Sequence, residues 1–116
     1  MWLTDGRDLD PEESRLIEEA QISHIPKVKT LTGLEFPDAP VYIHIDTDVI
    51  NPDDAPAMNY PAAGGPSIRD LHAVMKHLHR SMNIVAVSIS TWNPKLYHDG
   101  RSRRVCMELL DTLING

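Results

Sequence analysis

Apolar positions along the chain fall into two rhythms. Val41 to Ile45 is a short, unbroken run of β-branched and aromatic residues around His44, preceded by Pro40, and it predicts a buried strand. Ile84 to Ser90 (IVAVSIS) predicts a second buried strand, stopped by Thr91-Trp92-Asn93-Pro94. Elsewhere the spacing is three and four. Ile68, Leu71, Val74, Met75, Leu78 and Met82 recur in this way behind the capping signature Ser67 to Asp70, which predicts a helix to about Ser81. Val105, Leu109, Leu110, Leu113 and Ile114 form the core face of a last helix from about Ser102 to Ile114, closed by Gly116. Asp10-Pro11-Glu12-Glu13 combines an N-cap, proline at the first helical position and acidic residues in the first turn. That helix is expected to reach about Ala20 with Leu16, Ile17 and Ala20 facing inward. The weaker segments Met1 to Thr4 and Ile22 to Ile25 read as short strands, and Lys27 to Thr32 as a connection or a short helix.

Strands alternating with helices predict an α/β protein, three-layer α/β/α with a mostly parallel sheet. Ligands of such sheets sit beyond the carboxyl ends of the strands. One strand there runs into Asp46-Thr47-Asp48, and the other into Thr91-Trp92-Asn93-Pro94. His44, Asp46 and Asp48 share a parity and so a direction. Two carboxylates side by side at the end of a buried strand oppose each other's ionisation, and a cation would remove that cost. A polar stretch from Asn51 to Pro66 follows, with Pro52, Pro56, Pro61, Pro66 and Gly64-Gly65. Loops of such length inside compact domains are often functional.

Composition narrows the classes. The chain of 116 residues has the size of one domain, 1–116, with 41% hydrophobic and 24% charged residues. A net charge of −6 with no basic cluster beyond Arg101, Arg103 and Arg104 argues against nucleic acid as a partner. No apolar run is long enough for a membrane helix, and no signal-peptide core opens the chain. The single cysteine, Cys106, excludes an internal disulfide and fits a reducing compartment, so the expected location is cytoplasmic.

The other chemistry-bearing residues have ordinary readings. His44 is a packed strand histidine. His72, His77 and His79 lie on a solvated helix face, since their spacing is not the i, i+4 pairing of a metal site. Trp92 packs beside the cleft, Cys106 faces the core, and the three arginines form a solvated helix start or an oligomer contact.

Asp46-Thr47-Asp48-Val49-Ile50-Asn51-Pro52, then Ala55-Pro56, then Gly64-Gly65-Pro66-Ser67, resembles the arginase/agmatinase (ureohydrolase) family. Asn93-Pro94 after the second strand is similar to that family's E-x-N-P segment, and His98-Asp99-Gly100-Arg101 resembles its entry into the last helix. The resemblance runs from about Trp2 to Gly116. It implies the C-terminal part of an arginase-like fold, and a hydrolase of guanidino or amidino compounds with two Mn2+ ions and a metal-bridging hydroxide. It also implies that Asp46 matches the carboxylate bridging both ions and Asp48 the one binding a single ion. Carboxylate and imidazole ligands suit manganese, and two metals acidify a shared water.

The departures are equally specific. No Asp-x-His occurs in the chain, and the Gly-Gly-Asp-His and Asp-x-His-x-Asp segments that carry the family's remaining ligands have no counterpart. Thr91 stands where the resemblance places the guanidinium-binding glutamate, and Asn51 replaces an aspartate that is not a ligand. The expectation is therefore a C-terminal portion that is inactive alone. An exposed sheet edge would then favour a homo-oligomer or association with the missing N-terminal part. Two further readings compete: a non-catalytic structural or oligomerisation remnant, and a haloacid-dehalogenase-type Mg2+ phosphatase with Asp46 as nucleophile and Asp48 as acid/base. The phosphatase reading needs a later lysine and a further acidic pair, and only 25 residues follow Thr91 with no Asp-Asp among them.

Overall fold

The structure, a computed structural model, describes residues 1–116. Its elements in order are β1 (Trp2–Thr4), α1 (Pro11–Glu19), β2 (Ser23–Ile25), a 3₁₀ turn over Val28–Gly33, β3 (Pro40–Asp46), a second 3₁₀ turn over Thr47–Val49, α2 (Ile68–Ser81), β4 (Asn83–Ser90) and α3 (Arg101–Asn115). Every expected element forms. The local chemistry of the helix starts is as read: the Asp10 carboxylate accepts from the amides of Glu12 and Glu13, and the Ser67 hydroxyl accepts from Asp70 N at 3.2 Å.

Strand pairing is parallel throughout, β1 with β2 and β3 with β4, which is what α-helical crossovers produce. The pairs remain two separate two-stranded sheets, because no strand of this chain joins them. The core lies on one face of β3–β4. Ile43 and Ile45, with Ile84, Val87 and Ile89, meet Leu71, Val74, Met75 and Leu78 of α2 and Val105, Leu109 and Leu113 of α3. Cys106 joins the buried set, as its helix face predicts.

Neither long strand is buried on both faces, contrary to the expectation from their apolar runs. In β3 only Ile45 is buried, and β4 has no buried residue. Tyr42, His44 and Asp46 pair in register with Ala86, Ser88 and Ser90 on the face away from α2 and α3. Around this sheet the chain supplies two of the three expected layers. Helix α1 also differs: none of its residues is buried, Leu16 is 52% exposed and Ala20 is exposed, so only Ile17 turns partly inward. Ile114 likewise lies exposed at the end of α3.

The α2 histidines are not on a solvated face. His72 Nδ1 lies 3.0 Å from Thr112 Oγ1, and His79 Nδ1 lies 3.1 Å from the Leu113 carbonyl. The His77 ring packs against Phe36, tilted by 54° with centroids 5.9 Å apart, and Phe36 in turn meets Trp2 of β1 at 5.1 Å. These contacts come from elements far away in sequence, so helical spacing alone could not show them.

Candidate functional site

Asp46 is the last residue of β3, and Asp48 follows in the 3₁₀ turn. The turn replaces strand parity for Asp48, yet the two carboxylates still meet. Burial pushes the Asp48 carboxyl above the usual aspartate range, and the charge of Asp46 and a hydrogen bond with it push the same way. Arg7 opposes the shift.

The site is fixed from two sides. Thr47, almost fully buried, sets its hydroxyl 3.0 Å from Thr91 Oγ1. The Thr91 hydroxyl donates to Asp46 Oδ1. Thr91 itself sits just beyond β4 with φ +63°, a left-handed backbone that a β-branched residue rarely adopts. From the other side Arg7 donates through Nη2 to the Asp48 carbonyl and through Nη1 to the Val49 carbonyl, both at 2.9 Å. Its Nε is buried without a partner. No sequence signal marks Arg7, because its partners are backbone carbonyls some forty residues away.

His44 is not packed. It stands exposed on the open sheet face, with Nδ1 2.6 Å from Ser88 Oγ and Nε2 3.1 Å from Ser90 Oγ. Ser88 also meets the Tyr42 hydroxyl at 2.5 Å. This row of serine, histidine and tyrosine side chains leads along the sheet toward Asp46.

The Asn51–Pro66 stretch is an ordered loop. Asn51 N donates to the Pro66 carbonyl at 3.0 Å and closes its base. Asp54 accepts from Ile68 N at 2.8 Å, and Ala57 N donates to the buried Ser102 hydroxyl at 2.9 Å. Met58 bridges to Trp92, and Asn93 N donates to the Ala57 carbonyl. Gly65 is required where it stands. Its φ is +88°, and a Cβ would come within 2.5 Å of the Val49 carbonyl and 2.6 Å of Arg7 Nη1.

A sequence profile of the arginase family matches residues 8–115. The chain belongs to the arginase family. The arginase of Brucella melitensis is 28% identical over 102 residues, covering 88% of this chain and 33% of that protein. The formimidoylglutamase of Aeromonas hydrophila is 31% identical over 74 residues, covering 64% of this chain and 24% of that protein. The crystal structure of Bacillus caldovelox arginase superposes on 99% of this chain with a TM-score of 0.88 at 24% identity, while only 42% of that chain is covered. The arginase-family chain described here thus spans about a third of the length of a curated relative that it matches. Its α/β fold with parallel strands is part of the arginase fold.

Membership sets aside the haloacid-dehalogenase alternative, whose fold and later motifs belong elsewhere. No helix of this arginase-family chain is long and apolar enough to cross a membrane. The manganese pair implied by the family meets a donor set that fits it in kind only. Asp46 and Asp48 are adjacent hard oxygen donors, but no group of three or more His, Cys, Asp or Glu side chains is close enough to hold a metal ion. His44 is engaged with serines and Thr91 with Asp46.

Proposed function

We propose that this chain carries two metal-ligating carboxylates, Asp46 and Asp48, of an arginase-type centre that is complete only with ligands from outside it. The intact protein would then hydrolyse a C–N bond of a small guanidino or amidino compound, with manganese supplying an acidified water. The chain by itself would be inactive. The observation that carries this reading is the pairing of Asp46 and Asp48 at the carboxyl end of β3, where burial and mutual repulsion already raise Asp48. A nearby cation would reverse that repulsion.

Thr91 and Arg7 position the two carboxylates. Thr91 donates to Asp46 and orients its carboxylate. Arg7 holds the turn that presents Asp48, through the two carbonyls it binds. Thr91 is a hydroxyl where the family resemblance implies a glutamate, so this chain offers no carboxylate there for a guanidinium. That favours a substrate with a less basic amidino-type group. The reducing location implied by a single, buried cysteine is the cytoplasm.

A structural remnant of the fold is the second reading, favoured by the absence of any three-ligand cluster. Manganese titration followed by water-proton relaxation separates the two. Wild type should bind Mn2+ weakly and saturably, and Asp46→Asn and Asp48→Asn should each abolish that binding. No difference between wild type and variants would favour the remnant. Tight stoichiometric binding by the isolated chain would overturn the shared-site reading.

A further inference from the structure

Asp46 pairs in register with Ser90, so these two side chains share one side of the sheet. A continued strand would turn the next residue, Thr91, to the opposite side. Instead Thr91 has φ +63°, and its hydroxyl comes back to donate to Asp46 Oδ1. A left-handed backbone strains a β-branched residue, and such strain persists where the surroundings over-determine it, most often at functional sites.

The proton order of this contact is fixed. Thr91 has one hydroxyl proton, and Asp46 takes it. Thr47 Oγ1, 3.0 Å from Thr91 Oγ1, is therefore the donor in the second bond. Thr47 is buried, and Thr91 is the one hydrogen-bond partner of its hydroxyl. A relay thus runs from Thr47 through Thr91 to Asp46, each bond polarising the next. Turning the Thr91 proton away would give up a charge-assisted bond and set that proton against the one from Thr47. A divalent cation binds a carboxylate through the same oxygen lone pairs that accept hydrogen bonds. At Asp46, Oδ1 is engaged and only the other oxygen is free of Thr91.

Resting on the reading of Asp46 and Asp48 as metal ligands, we propose that Thr91 competes with a divalent cation for Asp46 Oδ1. Asp46 then offers one free oxygen and acts as ligand to a single ion, where the family resemblance implies a bridge between two. Thr91 therefore has two effects in place of a glutamate. It provides no carboxylate for a guanidinium, and it lowers the donor capacity of the neighbouring ligand. Mn2+ titration of the full chain, followed by water-proton relaxation, tests this with three variants. Thr91→Gly removes the hydroxyl and relieves the left-handed backbone, so the fold is kept. Thr91→Val removes the hydroxyl alone, and Thr91→Ser retains it. Thr91→Gly and Thr91→Val should each bind Mn2+ roughly 10-fold tighter than wild type, the worth of one hydrogen bond to a charged group. Thr91→Ser should match wild type, and adding Asp46→Asn to Thr91→Gly should remove the gain. A purely structural role would weaken binding on loss of Thr91 rather than tighten it. Binding unchanged or weakened in Thr91→Gly and Thr91→Val, or tightened equally in Thr91→Ser, would overturn the proposal and leave Asp46 and Asp48 as ligands. Absence of Mn2+ binding from wild type and all three variants would overturn the ligand reading itself, and the proposal with it.

Discussion

At the scale of single residues, the site is held by backbone geometry as much as by side chains. Gly64 and Gly65 both have positive φ, but only Gly65 is also pressed against Val49 and Arg7. Gly64→Ala should cost about 1 kcal/mol, the conformational penalty alone. Gly65→Ala adds a close approach and should cost about 1–3 kcal/mol more. Urea unfolding of the two variants checks this, and equal losses would show that the contact with Arg7 contributes nothing. Thr91 is the counterpart on the β4 side: a strained backbone, tolerated because its hydroxyl reaches Asp46 and Thr47 together.

At the scale of elements, two helices carry the core and one does not. Leu109 of α3 has no exposed surface, and Leu109→Ala should cost about 2–5 kcal/mol. Leu16 of α1 is mostly exposed, and Leu16→Ala should change stability by no more than about 0.5 kcal/mol. Chemical denaturation compares them directly, and a large loss at Leu16 would mean that a partner covers α1. The start of α2 has a pH dependence of its own. Hydrogen bonds from Lys29 and from Ser67, then the charge of Lys29, hold the Asp70 carboxyl below its ordinary value of 3.8. A depressed pKa stabilises the fold above the unfolded value and loses that contribution as pH falls through the folded value. The thermal midpoint of Asp70→Asn should therefore trail wild type by a constant margin above pH ~5, and the margin should close below pH ~3.8. A pH-independent margin would sink this account.

At the scale of the whole molecule, the difference between what was legible in the sequence and what was not follows the range of the interactions. Caps, helical spacing and strand propensity act over a few residues, so the limits of α2, β3, β4 and α3 were readable to within about two residues. The Asp46/Asp48 pair was also readable, because both carboxylates come from one segment. Burial is set by what covers an element, and nothing in the chain covers the open face of β3–β4 or the inward side expected for α1. For the same reason the α2 histidines, held by Thr112, Leu113 and Phe36, and the clasp by Arg7 left no local trace.

The loop between β3 and α2 is tied at both flanks, by Arg7 and the Asn51–Pro66 bond at its base and by Asn93 at Ala57, while Tyr60 at its tip is 85% exposed. Tips of this kind accept breaks and insertions, since their ends are already closed and little order depends on the covalent link. The tip around Tyr60 is thus the natural place to open the chain. It would give a circular permutant, or a pair of complementing halves, with both aspartates on one piece and Thr91 on the other.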